Sequence, residues 1–388
     1  MRQETDCKLP SNSRWMHKSG ESVASLDLGS VSEWLRLLVG QGPFATAYGS
    51  NGEARGDTRE QLRLQPMRLR RSMAFLASVI LPIIVGTPCS GVADSIPDRA
   101  KGKGRVTIVY QDDAIMPENR DATKKIRDSG VFERMADRLT KSVALPQDLQ
   151  VVVTDKLPKG IDDPSTDVDG RRIWWPAGFS KATHAVLTEF LTEVTASKGP
   201  PRAISQENFT ADILNVWGNQ FILGHEMGHA LIHQLNLPLT GMEEDSADGF
   251  ATFFTVNDKD TGPNAALGAA VLFDAMGSKR PNLTLEDFSS DHPVIMQRVY
   301  NFLCAVVGSD PQRLQNSLVT DGYIPQIRAL LCRKEWTQLN YGWWTLLEPD
   351  LTDSSKKETK AARQQARKDL EDENKALPAK IRQIRGGS

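Results

Sequence analysis

The chain has 388 residues, 39% of them hydrophobic and 25% charged, with a formal net charge of −2. That composition suits a folded protein with a sizeable core, and the near-neutral balance excludes a dedicated nucleic-acid binder, which needs a basic excess. Four cysteines are too few for a disulfide-dense scaffold, and no apolar run reaches the length of about 18 residues that a membrane span requires.

In chain order, residues 1–66 are rich in Ser, Gly and Arg without sustained periodicity, and read as a non-native or disordered extension. Residues 67–93 read as a signal peptide, with Met67 or Met73 as a natural start. Arg68, Arg70 and Arg71 precede the apolar run Met73–Gly86, and small residues lead to Ala93. The run is short for an anchor and Pro82 interrupts it. Cleavage after Ala93 predicts an exported protein, periplasmic or secreted, with no stable membrane span afterwards. It removes Cys7 and Cys89. Cys304 and Cys332 then remain, and in an oxidising compartment such a pair invites a disulfide, the alternative being two buried thiols.

Residues 94–350 form the expected domain. Strands are predicted over Arg105–Tyr110, Leu149–Thr154 and Arg172–Trp175, the last beside Pro176 and so suited to a sheet edge. A helix is expected over Ala122–Val143, where apolar residues recur at helical spacing, and a turn region over Asp162–Gly170. Further helices follow over Lys181–Ala196, Thr210–Gln234, Glu243–Val256, Asp291–Val307 and Leu314–Leu331, the last broken near Gly322 and Pro325. Loops are expected over Pro158–Asp169 and Asn257–Asn282. Residues 351–388 are a charged tail, either a solvated helix or disordered. Strands first and helices after imply an α+β fold.

The long helix Thr210–Gln234 carries His225-Glu226-Met227-Gly228-His229. Residues four apart lie on one helical face about 6 Å apart along the axis, so both imidazoles can reach one metal ion. Composition alone would produce this H-E-x-x-H pattern only about 0.006 times in such a chain. Glu226 sits where its carboxylate can take a proton from a water on the metal. His233 continues the series but rises about 12 Å from His225, too far to join them; it reads as a polar residue near the helix end. A third ligand is expected from Glu243-Glu244-Asp245-Ser246-Ala247-Asp248. Glu244 is favoured, Glu243 is its nearest rival, and Asp248 is placed to hold an imidazole by its free N–H. A carboxylate-rich helix N-terminus is the plainer explanation of the cluster, but it leaves the pairing with H-E-x-x-H unexplained.

These motifs resemble the gluzincin zinc metallopeptidases, and more closely a bacterial family of proposed metallopeptidases catalogued as a domain of unknown function. The resemblance runs from about Val106 to Leu347 through Leu145–Val153, Gly224–Ile232, Glu243–Ala251 and Gln297–Pro311. It implies a zincin-like fold, with a small mixed sheet packed on the H-E-x-x-H helix and further helices C-terminal to it. It also implies Zn²⁺ held by His225, His229 and Glu244, Glu226 as base, Asp248 in support, and a Cys304–Cys332 disulfide. Asp291-His292-Pro293 with Arg298 is similar to a segment of some membrane-associated gluzincins. There His292 would donate to an oxyanion; the alternative is a plain helix N-terminal segment. The expected activity is hydrolysis of a peptide or protein substrate by zinc-activated water. The alternative is a catalytically silent zincin scaffold that binds a partner.

Overall fold

The computed structural model describes residues 102–197, 202–280 and 282–386. The expected extension and signal peptide, residues 1–93, lie outside the described residues. Three β-rich runs, β1 (Val106–Tyr110), β2 (Leu149–Thr154) and β4 (Arg172–Pro176), pair in parallel. A two-residue strand, β3 (Ser165–Thr166), pairs antiparallel with β4, giving the order β1-β2-β4-β3. β4 is therefore interior, and the expectation that Arg172–Trp175 forms the edge is corrected. The edge is β3, inside the segment read as a turn; two residues are too few to display a period of two.

The predicted helix over Ala122–Val143 is two helices, α1 (Arg120–Ser129) and α2 (Val131–Ser142). Gly130 between them has φ +63°, a left-handed conformation that stops the first helix and redirects the second. α2 turns Val131, Phe132, Met135 and Leu139 onto the sheet, where Phe132 meets Trp175 edge-on at 4.8 Å.

The remaining described chain is helical. α3 spans Phe179–Ser197, α4 Ala211–Leu235, α5 Glu243–Val256 and α6 Asn264–Ser278. A short α7 (Leu285–Ser289) precedes α8 (Ile295–Ser309), α9 (Pro311–Leu318) and α10 (Gln326–Leu347). The charged segment is one helix, α11 (Asp353–Gly386), packed along α10. α6 replaces most of the expected loop Asn257–Asn282. Its Ala-rich sequence is apolar nearly all round, so it has no polar stripe from which a helical period could be read.

α4 is the central element. The Thr210 side chain caps it by accepting the Ile213 N–H at 3.3 Å. It is buried on most sides because α3, α5 and α6 pack along it and the β3–β4 hairpin lies on its C-terminal half. Gln234 donates to the Gly170 carbonyl at 2.7 Å, which fixes the hairpin turn on the last turns of α4. The molecule is thus a mostly helical α+β structure with a small mixed sheet.

Candidate metal centre

Two helices build the centre, and small residues let them meet. Gly224 and Gly228 of α4 face Ala247 and Ala251 of α5. A Cβ on Gly228 would lie 3.0 Å from Ala247 Cα and one on Gly224 3.3 Å from Ala251 Cα. This close approach sets the first turns of α5, with Glu243, Glu244 and Asp248, beside His225 and His229.

The imidazoles point their Nε2 atoms at each other, 3.1 Å apart. Glu244 completes a triangle: its Oε2 is 3.2 Å from His225 Nε2 and its Oε1 is 3.5 Å from His229 Nε2. Atoms about 2.05 Å from a zinc ion stand about 3.3 Å apart at the corners of a tetrahedron, so the three edges fit one cation. The chemistry of the set agrees. Glu244 Oε2 is buried without a well-aligned hydrogen bond, although the His225 and His292 Nε2 atoms lie 3.2 and 2.9 Å away. Each Nδ1 faces a carboxylate, so in the neutral ring that binds a metal each Nε2 would offer its lone pair to the common point.

His225 Nδ1 lies 2.9 Å from Asp248 Oδ1. Arg298 of α8 in turn grips Asp248 with two bonds, Nε to Oδ2 at 2.8 Å and Nη2 to Oδ1 at 2.7 Å. The Arg298 guanidinium also lies over the Phe273 ring at 4.3 Å. Burial alone would lower the His225 pKa, but the adjacent carboxylates of Asp248 and Glu244 outweigh it and raise the ring to about 9. Burial also works against ionised Glu244 and Asp248. The imidazoles of His225, His229 and His292 nevertheless hold Glu244 well below the usual carboxylate range, and His225 with Arg298 hold Asp248 down.

Glu226 is buried, and its Oε2 accepts from the Thr166 hydroxyl at 2.7 Å; the same hydroxyl lies 2.9 Å from the Glu226 carbonyl. Thr166 thus ties the edge strand to the carboxylate expected to move protons. His292 precedes α8, which begins at Ile295, and its Nε2 stands 2.9 Å from Glu244 Oε2 on the more exposed side of the cluster. Cys304 on α8 and Cys332 on α10 are at disulfide distance, with Cα atoms 4.7 Å apart.

All the residues singled out at H-E-x-x-H and E-E-x-x-x-D, and His292, are therefore brought into one cluster; the cysteine pair joins two other helices. Glu243, the rival ligand, faces the opposite edge of the His229 ring, with Oε1 2.7 Å from Nδ1. Sequence reasoning missed Thr166 and the part played by Arg298. Thr166 lies in a strand without a readable pattern. Arg298 was visible only as the end of the His292–Arg298 spacing, which does not disclose its carboxylate partner.

Residues 181–347 match the model of a family described as "Putative metallopeptidase". This stretch is similar to that family. The family's span holds α4, α5, α8 and both cysteines, while β1 to β4, with Thr166, lie outside it. The likeness read from sequence between Val106 and residue 180 is thus not part of the match. The description implies a metal ion and a peptidase activity. No curated protein and no solved structure matches the chain.

Proposed function

We propose that the chain is an exported, zinc-dependent peptidase of zincin-like architecture. The observation that carries this reading is the convergence of His225 Nε2, His229 Nε2 and Glu244 on one point, with separations of 3.1, 3.2 and 3.5 Å. Zinc at that point would supply Lewis acidity, lowering the pKa of a water towards about 7 and polarising the scissile carbonyl. The chain's own residues do the rest. Glu226 accepts the proton of the attacking water and returns it to the leaving amine, with Thr166 fixing its carboxylate. His292 donates to the oxygen on which negative charge develops. An extended peptide pairs with β3, the edge strand beside the site, instead of with Arg172–Trp175.

Export accords with the features of residues 67–93 and with a cysteine pair at disulfide distance. On this reading the mature chain starts after Ala93, residues 94–350 form the catalytic domain and 351–388 an appended helix. No helix among the described residues is long and apolar enough to cross a membrane.

Elemental analysis of the purified mature chain, paired with a peptide-library digest, tests the reading. One zinc per chain is expected, with chelator-sensitive cleavage. Glu226→Gln should keep the zinc and lose activity by at least about a hundredfold, the usual scale for removing a positioned base. Metal binding with no cleavage of any peptide would leave a silent scaffold; no metal at all would remove the site.

A further inference from the structure

His229 is gripped from behind by Glu243, which His233 in turn holds, both outside the convergent trio. Glu243 Oε1 lies 2.7 Å from His229 Nδ1, and the same oxygen lies 2.7 Å from His233 Nε2. His229 and His233 are one turn apart on α4, and Glu243 is the first residue of α5. These three residues also offer metal-binding donors. The distances decide against a cation there. A separation of 2.7 Å is hydrogen-bond length, shorter than the edge of about 3.3 Å that a zinc tetrahedron imposes. One carboxylate oxygen accepting an N–H from each ring accounts for both contacts. His233 Nδ1 is shielded and has no hydrogen-bond partner among the described residues, so the one hydrogen bond that ring makes goes to Glu243.

A neutral imidazole that donates from Nδ1 must present Nε2 as a bare lone pair. In His229 that atom is the one facing His225 and Glu244. His225 obtains the same orientation from Asp248, which Arg298 holds. Among the described residues no arginine bonds to Glu243 in this way, and its side chain is more than a third exposed. His233 fills that place.

We propose that Glu243, braced by His233, is a positioning residue that fixes His229 in the Nδ1–H tautomer and aims its Nε2 at the metal. The inference rests on the metal-site reading above, and it gives the third histidine of the helix and the first acid of the next one a shared task. The adjacent glutamates then face opposite edges of one ring, Glu244 towards Nε2 and Glu243 towards Nδ1.

The test compares the full chain with its Glu243→Ala, Glu243→Gln and His233→Ala variants. Zinc affinity is read by chelator competition, and the His229 tautomer by ¹⁵N-correlated NMR on protein stripped of metal, at a pH high enough to keep the ring neutral. Glu243→Ala should weaken zinc binding about 10- to 100-fold and release the tautomer. Glu243→Gln keeps an oxygen that can accept the same N–H and should recover most of the affinity. His233→Ala should cost about two- to tenfold, the scale of one hydrogen bond. A merely structural role would lower the unfolding midpoint while leaving the tautomer unchanged. Unchanged zinc affinity and tautomer in Glu243→Ala would overturn the proposal, as would a second zinc equivalent that His233→Ala abolishes. If the unmodified chain takes up no zinc, the site reading itself falls.

Discussion

Arg298 is the residue through which the centre is anchored to the rest of the molecule. It is buried, makes two charge-assisted bonds to Asp248, and stacks on Phe273. Removing a partner from a buried pair leaves an uncompensated charge, at a cost of about 3–5 kcal/mol. Arg298→Met should therefore destabilise the chain by about 3 kcal/mol in urea unfolding and weaken metal binding, because Asp248 no longer has a fixed position from which to hold His225. His292 should behave differently. It touches Glu244 from the more exposed side, and its ring stacks on that of His225 at 6.2 Å without a hydrogen bond to it. His292→Ala is expected to lower kcat by about 10- to 100-fold, on the scale of a lost oxyanion donor, and to leave the zinc content of the purified protein unchanged. Loss of zinc instead would make His292 a ligand. The pairing of His225 with His229 was legible because helix geometry makes i, i+4 spacing a statement about space. Thr166 was not, because its contact with Glu226 spans 60 positions and depends on where a two-residue strand lands.

Between elements, the decisive contact is the one between α4 and α5. Glycine at 228 is a requirement of packing and not of metal chemistry. A methyl there would stand 3.0 Å from the Ala247 Cα and 3.2 Å from its carbonyl oxygen, both backbone atoms that cannot rotate away. Gly228→Ala should push α5 outward, cost about 1–3 kcal/mol of stability, and weaken zinc binding by moving Glu244 while leaving both histidines in place. Titration calorimetry with zinc reads the second effect, and wild-type affinity in the variant would show that the helices have room to spare. The elements on either side of this contact were readable to differing degrees. α4 and α5 could be located from their motifs and from the Pro238–Gly241 break between them. α6 could not, because a helix buried between α4 and α8 carries apolar residues on every face. The boundary at Gly130 was hidden for the opposite reason: α1 and α2 keep an apolar periodicity across a residue whose left-handed backbone ends the first helix.

Across the whole molecule, stability should carry the signature of one buried acid outside the histidine–carboxylate cluster. Asp274 of α6 has one carboxylate oxygen shielded from solvent and without a hydrogen-bond partner among the described residues. Burial raises its pKa from 3.8 to about 6. Its charge also adds to burial in pushing up the phenols of Tyr300 and Tyr323. The folded chain therefore binds this proton more tightly than the unfolded chain does. Below pH 3.8 the group is neutral in both states and costs nothing. Between about 4 and 6 the unfolded carboxylate ionises first, so this contribution to stability falls as pH rises, and above 6 the penalty is complete. Two pKa units correspond to about 3 kcal/mol, which the partial exposure of the residue reduces to about 1–2 kcal/mol. Asp274→Asn should accordingly be more stable than the parent at pH 7.5 by about that amount, and the advantage should shrink steeply towards pH 4 and vanish well below the unfolded value of 3.8. Urea unfolding of both proteins across this range is the measurement. A difference that is flat with pH would show that the carboxylate is hydrated in the folded chain, and that the space between α6, α8 and the segment before α10 admits water.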